Sequence, residues 1–300
     1  MIKNCVIKYK MINVEFLDHL ERMSLIINKR ITSNYQGEKK SEYTGEGLIF
    51  KDYTIYSPGE NFRSIDWKVY GRTDKLFIKR FEEERNLTVH VIVDFSASMD
   101  FKSAGIKKSE YASMVGIGFS YMAMKNNERF VLSTFAEELK VFRPKRGRKQ
   151  LMLLLEHLNN EKPKGFSNLN ESLSSYKKLV KSKSLIVIVS DFLYDVDQIR
   201  LVLQKLKNHE VKLIQILDPL ETELNIEGDF KLRDLESKSQ LRTYVSPYLR
   251  KAYLQKMNEH QSNIRRACDE VGAEFYHFST LTPIFDAFYE ILTHQHKHLG

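Results

Sequence analysis

Asp94-Phe-Ser-Ala-Ser98 sets one carboxylate and two hydroxyls at alternate positions directly after a β-branched apolar run, Val89-His-Val-Ile-Val93. Oxygen donors spaced this way suit a hard divalent cation, which takes carboxylates, other oxygens and waters. A second carboxylate has the same setting, since Leu185-Ile-Val-Ile-Val189 runs into Ser190-Asp191. A further hydroxyl, Ser167, stands in the polar loop Gly165-Phe-Ser-Asn-Leu-Asn170. Two carboxylates nearly neutralise a divalent ion, and three serines complete the set without excess charge. Mg²⁺ is the expected ion, with Mn²⁺ and Ca²⁺ as alternatives; Mg²⁺ gives up its waters reluctantly. A coordination position would stay open, and an acidic side chain from another protein would fit it. The competing account is local: Ser96 and Ser98 cap a helix, Ser167 or Asn168 caps another, and Asp94 accepts from nearby amides. On Asp-x-Ser-x-Ser alone the two accounts are equally good. The second strand-end aspartate and the Ser167 loop favour coordination.

For these five residues to meet, their strands must end at one edge of a sheet. The runs ending at Asp94 and Asp191, together with Val211–Leu217, are continuous and apolar, as in strands buried on both faces of a parallel sheet. Arg129–Phe135 and Glu274–Phe278 read as further strands, with Leu139–Phe142 a short hairpin partner. Helical spacing covers Ser109–Lys125, Lys149–Leu158, a segment ending near Lys181, Val196–Asn208, Pro247–Val271 and Pro283–Thr293. Strands alternating with helices imply parallel pairing and right-handed crossovers. The expected fold class is α/β, a doubly wound, mostly parallel sheet flanked by helices. In such sheets ligands bind outside the carboxyl ends of the strands.

The predicted main domain spans 87–300, with a polar excursion carrying a hairpin at 221–248. Residues 1–86 form an N-terminal part. It begins with an amphipathic helix, Val14–Arg30, whose stripe is Phe16, Leu17, Leu20, Met23, Ile26 and Ile27. A polar loop, Thr32–Gly47, leads to a small β-containing module rich in Tyr, Arg and Asp. In that module Leu76–Phe81 reads as an edge strand, Trp67 as an anchor packed on the sheet, and Arg63 with Asp66 as a structural ion pair. Gly116-Ile-Gly118 falls in mid-helix without a third glycine, so close helix–sheet packing is expected there rather than a dinucleotide turn.

The chain of 300 residues is 42% hydrophobic and 29% charged, enough to bury a core. No apolar run reaches the roughly 18 residues that span a bilayer. Met1-Ile-Lys-Asn-Cys5 does not read as a secretory signal, and two cysteines, Cys5 and Cys268, make no disulfide framework, so a cytoplasmic protein is expected. The formal charge of +8 raises nucleic acid as a partner. One dense basic patch exists: Arg143, Lys145, Arg146, Arg148 and Lys149. Aromatic platforms are not interleaved with it, which favours a solvated loop leading into a helix. The tail His294-Gln-His-Lys-His298 reads as an exposed terminus rather than a metal site.

Asp94-Phe-Ser-Ala-Ser98, the Ser167 hydroxyl loop and Asp191 resemble the metal-ion-dependent adhesion site of von Willebrand factor A domains. The blocks Tyr56-Ser-Pro-Gly-Glu-Asn61, Arg63-Ser-Ile-Asp-Trp67, Gly71-Arg-Thr-Asp-Lys-Leu76 and Phe81-Glu-Glu-Glu-Arg85 resemble the prokaryotic family catalogued as domain of unknown function 58. The likeness runs from about Phe16 to Leu292. It implies an A-domain-like fold, a metal site at Asp94, Ser96, Ser98, Ser167 and Asp191, and no established catalysis. It also implies partnership with a MoxR-type AAA+ ATPase in maturing other proteins. Adhesion-type sites usually carry threonine where this chain has Ser167; the hydroxyl is kept.

The expected function is therefore a non-catalytic, metal-dependent protein-binding module. One alternative is a metal-dependent hydrolase or phosphatase with Asp94 as nucleophile. Such an aspartate usually has a second carboxylate two residues later, and Ser96 stands there. The other alternative is nucleic-acid binding through Arg143–Lys149.

Overall fold

The structure is a computed structural model describing residues 16, 20, 21, 48–83, 88–180 and 182–293. Most of the Val14–Arg30 helix, the 32–47 loop and the His294–His298 tail lie outside the described residues. Contacts divide the chain into two compact units, residues 32–86 and, together, residues 1–31 with 87–300.

In the smaller unit, β1 (Leu48–Ile55) pairs antiparallel with β2 (Phe77–Glu83), and helix α1 (Trp67–Thr73) lies between them in sequence. Asp66 caps α1 by accepting from the amides of Lys68 and Val69 at 3.0 and 3.4 Å. The Arg63–Asp66 pair is not what forms. Asp66 instead accepts from Lys79 Nζ at 2.9 Å and from the Tyr53 hydroxyl at 2.8 Å. The Lys79 ammonium, then Tyr53, hold its carboxyl down at about 2. Trp67 is not a buried anchor either: it is 53% exposed, and its ring meets those of Phe62 and Tyr70.

The larger unit is built on a six-stranded sheet. Its elements are β3 (Thr88–Asp94), α2 (Lys108–Lys125), β4 (Arg129–Phe135), β5 (Leu139–Lys140), α3 (Arg148–Asn160), α4 (Leu169–Lys177) and β6 (Leu185–Ser190). They continue with α5 (Val196–Leu206), β7 (Glu210–Leu217), α6 (Pro219–Glu223), β8 (Gly228–Arg233), β9 (Gln240–Val245), α7 (Pro247–Asp269), β10 (Glu274–Ser279) and α8 (Ile284–Thr293). The spatial order is β10-β7-β6-β3-β4-β5, parallel throughout except for β5. The α/β class is therefore as the alternation requires. β8 and β9 form a separate antiparallel hairpin inside the excursion.

The central strands are apolar at successive positions because both of their faces are covered. Val89, Val91 and Val93 join Val187 and Val189 in a core with α2, α3 and α8. Ile92, Ile186 and Ile188 point the other way, into a core with α4, α5 and α7. Phe16 and Leu20 belong to the first core, with the Phe16 ring centroid 6.1 Å from that of Phe285. Each fully buried Val or Ile here contributes about 1.5–3 kcal/mol.

Helix α2 packs close because of its two glycines. A Cβ on Gly116 would come within 2.9 Å of Leu132 and 3.1 Å of Val93, and one on Gly118 within 2.0 Å of the Phe288 ring. Gly116 thus admits the sheet, and Gly118 admits α8. Among the described residues no helix is long and apolar enough to cross a membrane.

Candidate metal centre

Three loops meet at the carboxyl edge of the sheet. Beyond β3 the chain makes a 3-10 turn, Ala97–Asp100, with Ser96 at its N-cap position. Ser96 makes no side-chain cap bond, so its hydroxyl serves elsewhere: it lies 3.1 Å from that of Ser98. The second loop is tied to the first, Ala97 N donating to the Gly165 carbonyl at 3.0 Å and Lys164 N to that of Phe95 at 2.9 Å. Asn168 then caps α4, accepting from Glu171 N, which leaves Ser167 outside the helix. The third loop follows β6, where Phe192 takes a left-handed backbone (φ 48°) and the chain turns sharply after Asp191.

The five sequence-predicted residues come together. Ser167 Oγ donates to Asp94 Oδ2 at 3.1 Å, and Ser98 Oγ donates to Asp191 Oδ2 at 2.7 Å. Ser96 N donates to Asp94 Oδ1 at 2.8 Å. Asp94 and Ser96 have no exposed surface and Asp191 almost none, whereas Ser98 and Ser167 are half-buried and form the rim. Ser98 and Ser167 therefore lie above two sunken carboxylates, with their hydroxyls turned inward onto them.

Four further residues complete the cluster. Ser190 Oγ donates to Asp94 Oδ2 at 2.7 Å, and the Tyr194 hydroxyl donates to the same oxygen. Lys108, at the start of α2, is wholly buried, with its Nζ 3.0 Å from Asp191 Oδ2 and 2.7 Å from Glu221 Oε1. Burial opposes the Lys108 charge, but Asp191 and Glu221 outweigh it and hold the ammonium above lysine's ordinary value. Glu221 is pushed up by its own burial, which Lys108 only partly offsets. Asp94 is pushed up to about 6 by burial and then by the negative charge of Asp191. Sequence reading missed these four. Ser190 had a signal, being the last strand residue before Asp191; Tyr194, Lys108 and Glu221 had none at the level of spacing.

By chemistry the donor set suits a hard divalent cation, while among the described residues no group of three or more His, Cys, Asp or Glu side chains is placed to hold one. Every candidate ligand is an oxygen, and the carboxylates of Asp94, Asp191 and Glu221 against one ammonium leave a formal excess of two negative charges. Asp94, Asp191, Ser96, Ser98 and Ser167 would hold the ion, and Lys108 would keep Asp191 in place.

The other predicted binding residues lie elsewhere. Lys145 bridges the backbone of Phe130, near the start of β4, so the Arg143–Lys149 segment is at the opposite end of the sheet from Asp94. Arg143, Lys145, Arg146, Arg148 and Lys149 are all exposed. His90 is buried in β3 with Nδ1 2.8 Å from the Tyr176 hydroxyl, away from the rim.

The sequence pattern defining the family described as "Protein of unknown function DUF58" matches residues 52–263. The chain belongs to the DUF58 family. The uncharacterized protein Rv1480 of Mycobacterium tuberculosis is 25% identical to this chain over 258 residues, 85% of this chain and 81% of the relative. The conserved hypothetical protein BatB from Bacteroides thetaiotaomicron is similar in structure, with a TM-score of 0.45 and 13% identity over 70% of this chain and 99% of that one. The SpRpn10 VWA domain is similar with a TM-score of 0.43 and 12% identity over 70% of this chain and 95% of that one.

Proposed function

We propose that this DUF58 protein is a cytoplasmic, non-catalytic, metal-dependent protein-binding module that works with a MoxR-type AAA+ ATPase in the maturation or assembly of client proteins. The observation that carries the reading is the convergence of two buried carboxylates and a rim of serine hydroxyls, with two negative charges in excess, at one edge of the sheet. A divalent ion there would balance the charge and keep a position facing solvent between Ser98 and Ser167. An acidic side chain of the partner would enter that position. The ATPase partnership is supported by membership of the family and by the resemblance its motifs carry.

Hydrolysis through Asp94 is less well supported. One Asp94 oxygen accepts an amide and the other accepts three hydroxyls, those of Ser167, Ser190 and Tyr194. Ser96 also stands where a nucleophilic aspartate usually has a second carboxylate to act as acid and base.

The test is co-purification with the MoxR-type ATPase of the same genome, in Mg²⁺ and in EDTA. Wild type should retain the ATPase in Mg²⁺ and lose it in EDTA, and Asp94→Ala should lose it in both. Retention by Asp94→Ala in EDTA would sink the reading.

A further inference from the structure

The smaller unit carries a row of aromatic rings on its surface. Tyr56 directly follows β1, Phe62 opens the 3-10 turn Phe62–Ser64, and Trp67 and Tyr70 stand one turn apart on α1. Ring centroids are 6.3 Å apart from Tyr56 to Phe62, 5.2 Å from Phe62 to Trp67 and 6.1 Å from Trp67 to Tyr70. The planes cross steeply, at 85°, 62° and 84°. An edge-to-face contact covers a face of only one ring in each pair, so most ring faces stay open. Phe62 and Trp67 are more than half exposed, and Tyr70 is 40% exposed. Nor do these rings form a core: among the described residues of this unit only Ile65, Asp66 and Ile78 are buried.

Cations alternate with the rings along the chain. Arg63 adjoins Phe62, Lys68 adjoins Trp67, and Arg72 lies two residues beyond Tyr70, with Lys75 after it. All four are exposed, and none has an ion-pair partner among the described residues. The acids of 56–75 do not answer them. Asp66 is taken by Lys79, Tyr53 and the α1 amides, and Glu60 accepts from the amide of Ser57 at 2.9 Å. Asp74, the third, stands at the far end of α1 as its C-cap.

Open rings in alternation with unanswered cations suit a ligand that repeats both complements. A polyanion without rings would leave the aromatic row wet, and an apolar or proline-rich segment would leave the cations unmatched. We propose that this face of the smaller unit binds single-stranded nucleic acid, with bases stacking on Phe62, Trp67 and Tyr70 and phosphates meeting Arg63, Lys68 and Arg72. Neighbouring rings stand steeply to one another, so they take splayed bases singly rather than a continuous stack. Every base has a π-face, so this mode of binding tolerates many sequences. The formal charge of +8 adds a general attraction for a polyanion. Neither Asp94 nor a metal ion takes part, so the proposal stands or falls apart from the function proposed above.

The experiment uses the full chain and an oligothymidylate of about eight nucleotides, with an oligouridylate in parallel to separate DNA from RNA. Trp67 is the only tryptophan of the chain, so its fluorescence reports from this surface. Bound bases should quench it, and the anisotropy of a labelled strand should give the affinity. A response to one strand alone assigns the surface to that class of nucleic acid. Phe62→Ala and Tyr70→Ala should each weaken binding about tenfold, the loss of one stacked base, while Phe62→Tyr should bind as wild type does. Lys68→Gln with Arg72→Gln should lower the slope of log affinity against log salt by about 1.4, two phosphate contacts at about 0.7 each. Arg148→Gln with Lys149→Gln, in the other basic segment, should leave the quenching unchanged. All these side chains are exposed, and circular dichroism should show each variant folded. Absence of quenching by both strands overturns the proposal. Binding that Phe62→Ala and Tyr70→Ala leave intact overturns it too, since the strand then sits elsewhere. Equal affinity for a polyglutamate of the same length would show a surface that reads charge alone, as for an acidic protein segment, and would likewise overturn it.

Discussion

Lys108 Nζ lies 3.0 Å from Asp191 Oδ2, with neither side chain more than 4% exposed. A lysine this deep is stable only because a second carboxylate, Glu221, shares it at 2.7 Å. The pair joins the first turn of α2 to the end of β6. The candidate metal site thus has a fixed internal cation beside the place for an exchangeable one.

Removing that cation should be costly. Lys108→Met leaves Asp191 and Glu221 buried without their partner, which typically costs about 3–5 kcal/mol. The urea midpoint should fall accordingly. Lys108→Met combined with Glu221→Met should recover part of the loss, since only one of the two carboxylates, Asp191, is then left without the ammonium. A double variant no more stable than the single one would contradict the pairing.

A divalent ion should stabilise the fold by mass action. At about one hundred times its dissociation constant, Mg²⁺ or Mn²⁺ contributes about 2.7 kcal/mol, visible as a rise in Tm. Asp94→Asn keeps the shape of the side chain but removes one of the charges that hold the ion. It should abolish the metal-dependent rise while leaving the metal-free protein folded, as circular dichroism would show. A metal-dependent rise that persists in Asp94→Asn would remove Asp94 from the ligand set.

His90 sets a pH dependence of a definite sign. Burial, then the nearby His209, lower its pKa from 6.5 to about 4. The unfolded chain therefore binds a proton first, and this contribution to stability is lost as pH falls from about 6.5 toward 4, by about 3 kcal/mol in all. Asp94, pushed up to about 6, acts in the opposite direction as the pH falls from about 6 to 4. The measurement must accordingly be a difference. Asn at position 90 keeps a polar atom near Nδ1, so the stability of wild type minus that of His90→Asn should shrink between pH 6.5 and 4. A difference that stays flat across this range would show that His90 is not held neutral.

The glycine beneath α8 has no room to grow. Gly118→Ala places a methyl group 2.0 Å from the Phe288 ring, and overpacking of this kind costs typically about 1–3 kcal/mol. Loosening Phe288 by Phe288→Leu in the same chain should return part of that loss, measured by thermal melts. Additive losses in the double variant would show the two sites to be independent.

The sheet, its helices and the meeting of the five residues were readable because they follow from local pattern. Apolar runs without alternation mark strands covered on both faces, and parallel strands deliver their ends to one edge. Asp94 and Asp191 end such runs, so their shared edge followed from topology alone. Lys108 was not readable: it stands in Lys107-Lys108 at the end of a polar loop, and only the tertiary fold shows that one of two adjacent lysines is sunk while the other reaches Asp100 at 2.6 Å. Glu221 sits at the start of an excursion whose path depends on side-chain caps rather than periodicity. The misreadings at Arg63 and Trp67 have the same origin. Sequence proximity suggested Arg63 for Asp66, but β2 brings Lys79 across the hairpin instead. A tryptophan beside apolar residues suggested burial, yet its neighbours Phe62 and Tyr70 are themselves exposed.

Val91, Ile92 and Val93 have no exposed surface, and Asp94 follows them directly. Asp94 thus stands directly on strand residues packed into both cores, Val91 and Val93 on one side of the sheet and Ile92 on the other. In the loop that follows the 3-10 turn, the amide of Ser103 donates to Asp218 at 2.8 Å, which ties that loop to the N-cap of α6 and so to the start of the excursion.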